Sequence, residues 1–190
     1  MLREAPVKTG TTFAEYIEFE QTSDVRHEFV DGNLFVMAGG TQRHNMLAGI
    51  LYAQLLPVVL TQGCRIFIND LIVKTPSGKG YYPDVFVTCD SNLDSARVIF
   101  RPTLIVEVLS NSTEVFDRGE KWEQYQKMQS LEQYVLLSQN QAVAEVFSRQ
   151  EEHWKYERLT ENEVLKFSSL AFELVLSDLY KNLPVIQEDS

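Results

Sequence analysis

The segment Leu104-Ile105-Val106-Glu107-Val108-Leu109 constrains this chain more than any other. A short run of apolar, largely branched residues suits a central strand covered on both faces. Such a strand needs a layer above it and a layer below it. Glu107 stands in the middle, where every neighbour favours a dry environment. An unpaired carboxylate there costs several kcal/mol or is forced to protonate. A cation or a buried basic side chain is therefore expected beside it. The alternative is an acid at a sheet rim or one paired with an arginine.

The rest of the pattern predicts what surrounds that strand. Thr12 with Glu15 forms a capping-box signature before the apolar residues of a first helix. Residues 26–30 and 34–38 are expected to pair as strands around Asp31-Gly32-Asn33. Met46, Leu47, Ile50, Leu51 and Leu55 follow helical spacing, which predicts a helix over 42–60. Residues 65–75 and 81–89 make a hairpin about Ser77-Gly78-Lys79-Gly80, and 117–128 has helix-forming composition. Three further strands are expected at 134–137, 143–148 and 154–159, with a closing helix or strand over 170–179. The fold class is α+β, a central mixed sheet flanked by helices with an N-terminal helix and β-hairpin. At 190 residues, one domain over 1–190 is expected.

Charge narrows the partners. Seventeen basic against 27 acidic side chains leave a net charge of -10, which repels polyanions at long range. Contact with nucleic acid then requires a local basic patch or bound cations. Cys64 and Cys89 lie in apolar segments outside any CxxC pattern, so two buried reduced thiols are expected. Met1-Leu2-Arg3-Glu4-Ala5-Pro6 has no apolar signal region. The apolar stretch 46–60, interrupted by Gln54 and Pro57, is too short to span a bilayer. A soluble, cytoplasmic protein is the expectation.

Asp84 repeats the theme of Glu107. Pro83 belongs at a strand end, so Asp84 in Pro83-Asp84-Val85-Phe86-Val87 stands beside an opening in the sheet. Pro-Asp alone is common in turns, but the following loop can return the chain to set both acids side by side. Two adjacent carboxylates repel, and a divalent ion relieves this; oxygen-only ligands select Mg²⁺ or Mn²⁺ over Zn²⁺. Asp117, Lys121 and Tyr125 share one helix face, which by spacing alone describes a solvated Asp–Lys pair. Glu28 in the first hairpin and His44 at the start of the second helix are the remaining candidates, each with an ordinary structural reading beside the functional one. His27 and His153 show no functional pattern.

The order Glu28…Asp31-Gly32, His44, Pro83-Asp84-Val85, Glu107-Val108-Leu109-Ser110 and Asp117…Lys121…Tyr125 resembles the Uma-two family. These are small endonucleases of the restriction-endonuclease-like PD-(D/E)xK superfamily. In the wider superfamily a lysine stands two residues after the glutamate, where this chain has Leu109. The resembling family draws its lysine from the following helix, and Lys121 fits that place. The resemblance implies Mg²⁺, or Mn²⁺ in substitution, held by Asp84, Glu107 and the Val108 carbonyl. It implies catalytic roles for Glu28, Asp84, Glu107 and Lys121, with His44, Asp117 and Tyr125 in support. DNA, duplex DNA before RNA, is the implied substrate. A homodimer is expected because duplex cleavage needs two sites.

Two other readings remain open from the residues. A nuclease fold retained for binding or assembly agrees with the acidic balance and with Leu109. A metal-dependent hydrolase of small phosphoesters would use the same acids.

Overall fold

The computed structural model describes residues 5–37, 39–91 and 97–184. In chain order it contains α1 (Phe13–Thr22), β1 (His27–Val30), β2 (Asn33–Val36), α2 (Gln42–Thr61), β3 (Arg65–Ile68), β4 (Ile72–Lys74) and β5 (Gly80–Tyr81). These are followed by β6 (Val85–Thr88), β7 (Val98–Ile99) and β8 (Leu104–Leu109). A broken helical segment comes next: α3 (Glu114–Phe116), a π turn (Asp117–Lys121) and α4 (Trp122–Tyr125). The strands β9 (Gln133–Ser138), β10 (Val143–Gln150), β11 (His153–Thr160), β12 (Val164–Phe167) and β13 (Phe172–Val175) follow, then a 3₁₀ turn (Leu176–Leu179).

The central sheet has six strands in the order β11-β10-β9-β8-β6-β3. It is mixed: β8 and β9 run parallel, and its other neighbours are antiparallel. All six residues of β8 are buried, as its composition requires. Alternation then divides them. Leu104, Val106 and Val108 pack with Leu47, Leu51, Leu55 and Val59 of α2. Ile105 and Leu109 pack with Tyr125, Met128 and Tyr134 on the opposite side. Each of these large apolar side chains contributes about 1.5–3 kcal/mol by leaving water. Glu107 shares the odd-numbered face with Ile105 and Leu109, and so points toward the helical segment that carries Lys121.

A smaller sheet runs β2-β1-β5-β4-β7, with α1 packed on it through Tyr16 against Phe29, Leu34 and Ile72. The Thr12–Glu15 capping box opens α1. Asp31 (φ 49°) and Gly32 (φ 80°) both take the left-handed conformation that a two-residue hairpin turn demands. Residue 38, the expected end of the second strand, lies outside the described residues, as do residues 1–4.

Four expectations need correction. The hairpin over 65–89 exists but divides between two sheets, β3–β6 in the large one and β4–β5 in the small one. Between the pairs Ile68↔Val85 and Val73↔Tyr81 the first strand has four residues and the second three, so one residue bulges. Asn69 takes φ 59° at this bend, and its N–H donates to the Asp84 carbonyl at 3.0 Å. Cys64 and Cys89 are a disulfide, not two thiols. They flank the pair Arg65↔Thr88, and the same antiparallel register sets them opposite one another. The α2 segment is 20 residues long and, by length and composition, apolar enough to cross a membrane. Its packed stripe Leu47, Leu51, Leu55 and Val59 is instead a core face laid on the sheet. The expected 117–128 helix begins earlier, at Glu114, and is interrupted by the π turn. The two-residue strand β7 is too short to show a period.

Candidate active site

The bend at Asn69 sets the site. Beyond Val85↔Val106 the antiparallel register places Asp84 opposite Glu107, where β6 leaves the central sheet. Backbone and side chains then bond reciprocally. The Asp84 N–H donates to Glu107 Oε2 at 3.3 Å, and the Val108 N–H donates to Asp84 Oδ2 at 2.7 Å. His44 Nε2 lies 3.2 Å from the same Asp84 oxygen. Thr41 caps α2, its hydroxyl accepting the His44 N–H at 3.1 Å. Gly40 leaves the imidazole its place, because a Cβ there would stand 2.9 Å from His44 Nδ1. Burial works against a charged His44, but the Asp84 hydrogen bond and charge and the Val108 backbone outweigh it and raise its pKa.

Lys121 enters from the other side. It is buried, with Nζ 3.1 Å from Glu28 Oε1, 3.2 Å from Glu107 Oε1 and 3.0 Å from Asp117 Oδ1. Four elements therefore meet at one ammonium: β1, β8, the π turn and, through the Asp84–Glu107 pair, the start of β6. The composition-based picture of Glu28 as an exposed hairpin acid and Lys121 as a solvated helix lysine does not hold; both side chains are inside. The π turn spans Asp117 to Lys121, and such turns recur where a helix must aim a side chain. Tyr134 secures it, its hydroxyl donating to the Asp117 carbonyl at 2.9 Å. Tyr125 Oη stands 3.5 Å from Glu107 Oε1, at the limit of a hydrogen bond.

Charge is unbalanced at this point. Three carboxylates (Glu28, Glu107 and Asp117) surround one lysine, and a fourth, Asp84, adjoins Glu107. Burial pushes Glu107 well above the usual carboxylate range; Lys121 pulls it back, while Asp117, Asp84 and Glu28 push it further up. Asp117 is raised in the same way, chiefly by burial. Burial also opposes the Lys121 charge, yet Asp117, Glu107 and Glu28 together hold its pKa well above the ordinary value. Asp117 Oδ1 is buried and in ionic contact with Nζ without completing a hydrogen bond. Among the described residues no three metal-ligating side chains stand as a ready-made coordination group. The donor chemistry nevertheless fits a hard divalent cation: all-oxygen carboxylates, in excess of the cations beside them.

Tyr134 and Tyr81 were missed from the sequence. Tyr134 heads the otherwise aliphatic stretch Tyr134-Val135-Leu136-Leu137, and a hydroxyl in such a strand needs a partner, which was the available signal. Tyr81 covers the Lys121 ammonium at 5.9 Å and donates to Glu120 at 2.8 Å. Nothing local announces it.

Residues 13–178 match the model of the Uma2 family, described as "Putative restriction endonuclease". The chain belongs to this family. Similar proteins include two from Synechocystis sp., both named as uncharacterized. The chain is 29% identical to slr1290 over 172 residues, covering 89% of this chain and 90% of the relative. It is 32% identical to sll1609 over 133 residues, covering 67% of this chain and 75% of the relative. The fold also resembles a crystal structure from Anabaena variabilis described as a "putative nuclease belonging to DUF820". That likeness has a TM-score of 0.73 at 15% identity and covers 89% of this chain and 97% of the other. The Uma2 chain thus has a nuclease-like fold, with its acids and its buried lysine gathered at the seam between the two sheets.

Proposed function

We propose that this protein is a Mg²⁺-dependent endonuclease that hydrolyses DNA phosphodiester bonds, acting as a homodimer. One observation carries the reading: a buried ammonium, Lys121, is held against Glu107, and Glu107 stands opposite Asp84 at the mouth of the central sheet. Asp84, Glu107 and the Val108 carbonyl are the groups that would hold Mg²⁺ or Mn²⁺. Bound there, the ion supplies Lewis acidity toward the phosphate and lowers the pKa of its water. Lys121 keeps its proton, given the direction of its shift, so its part is to orient the attacking water and offset charge on the phosphorane-like transition state. Glu28 and Asp117 hold the ammonium from two further sides and fix its direction. His44 holds the second Asp84 contact. With a net charge of -10, binding of a polyanion depends on the cation that neutralises these acids.

Leu109, in place of a strand lysine, favours a second reading, a nuclease fold kept for binding or assembly. Supercoiled plasmid incubated with Mg²⁺ or Mn²⁺ separates the two. The nuclease reading expects nicked or linear product from wild type, and a fall of about 100-fold or more in Asp84→Asn and Glu107→Gln. Intact plasmid with wild type would leave the binding module as the better account, and unchanged cutting by both variants would remove Asp84 and Glu107 from the mechanism.

A further inference from the structure

A second buried polar cluster lies behind the site, on the side of α1. Glu20 is only 2% exposed, yet it is a carboxylate on an otherwise apolar helix face. Its Oε1 is 2.7 Å from His27 Nδ1. Its Oε2 accepts the Tyr82 hydroxyl at 2.7 Å and the His27 backbone N–H at 3.3 Å. Tyr16 adds a fourth bond, its hydroxyl donating to the His27 carbonyl at 2.7 Å. His27, Tyr82 and Tyr16 are all buried as well.

The two residues that Glu20 grips are not arbitrary points on the chain. His27 directly precedes Glu28, which touches Lys121. Tyr82 is joined to Asp84 through Pro83 alone. Proline fixes its own φ and restricts the residue before it, so the place of Tyr82 is passed on to Asp84 with little slack. A buried polar network rarely adds stability over apolar packing of the same volume, so stability gives a weak reason for its presence. Orientation gives a stronger one. We infer that Glu20, through His27 and Tyr82, is a positioning residue that sets Glu28 and Asp84 at their mutual spacing across the seam of the two sheets. As a statement about catalysis this rests on the nuclease reading above; as a statement about geometry it stands apart from it.

The test uses Tyr82→Phe, which deletes one hydroxyl, and Glu20→Gln, which keeps shape but changes the bonding. His44 reports on Asp84, since its ring lies 3.2 Å from Oδ2, and its imidazole resonances can be followed by NMR. Val59→Ala serves as the control for general loss of packing, at the far end of α2 and about 22 Å along the helix from His44. Both network variants are expected to displace the His44 ring resonances. They are also expected to weaken Mn²⁺ binding about tenfold, while Val59→Ala leaves both readouts alone. His44 resonances unmoved in both variants, or moved equally in Val59→Ala, would overturn the inference. If Glu20→Gln does not fold, Tyr82→Phe alone decides. If wild type takes up no Mn²⁺, that result counts against the nuclease reading, and the His44 readout still decides the role of Glu20.

Discussion

Replacing Lys121 with methionine removes one charge from a cluster that cannot readily do without it. Its Nζ lies 3.0–3.2 Å from three carboxylates, all on buried residues. At an effective dielectric of about 20, each such contact is worth about 5 kcal/mol before desolvation is subtracted. Desolvation of the ammonium removes most of that sum. Breaking a buried pair while its partner stays behind has a net cost of about 3–5 kcal/mol. For a chain of this size that corresponds to a fall of about 6–20 °C in melting temperature. The pH dependence has a definite sign. Without Lys121, Glu107 and Asp117 are raised still further above their unfolded values, because the opposing cation is gone. A carboxyl raised in the folded state stabilises it while protonated and loses that contribution as pH rises through the folded pKa. The deficit of Lys121→Met should therefore be largest near pH 8 and shrink toward pH 5. Urea unfolding of wild type and variant at both pH values measures it. A variant as stable as wild type at pH 8, or a deficit that grows on acidification, would refute a buried, charge-compensating Lys121.

Two other predictions rest on separate contacts. Gly40→Ala should push the His44 ring away from Asp84, because the new Cβ would stand 2.9 Å from Nδ1; cleavage is expected to fall about tenfold with little change in melting. Unaltered cleavage would show that the His44–Asp84 contact has no part in the reaction. The Cys64–Cys89 disulfide closes a loop with a sequence separation of 25. Reduction should cost about 3–4 kcal/mol in the chain-entropy model, seen as a lower melting temperature with reductant and unchanged melting in the Cys64→Ser, Cys89→Ser double variant.

What was legible in the sequence depended on how local its cause was. The Thr12–Glu15 box and the Asp31-Gly32 turn are decided within four residues, and both formed where their signals lay. The nearness of Asp84 and Glu107 could be anticipated because acids in apolar strands need company. Long-range facts left no such mark. Nothing near Asn69 shows that one hairpin will serve two sheets, yet this bulge is what frees Asp84 from the ladder. The Cys64–Cys89 bond follows from the β3–β6 register, which apolar composition does not reveal. Glu20 and His27 lie in different elements, α1 and β1, so no single helical or strand period couples them. The spacing of Asp117, Lys121 and Tyr125 gave a helix face but not its direction, which the π turn and Tyr134 settle.

The proposed nuclease activity depends on a divalent cation bound by the Asp84–Glu107 pair. Calorimetric titration of Mn²⁺ into wild type and into Glu107→Gln, both confirmed folded by circular dichroism, addresses that pair without requiring a substrate. Saturable binding by wild type, weakened at least about tenfold in Glu107→Gln, is the predicted result. No uptake by wild type, or equal affinity in the two proteins, would contradict it.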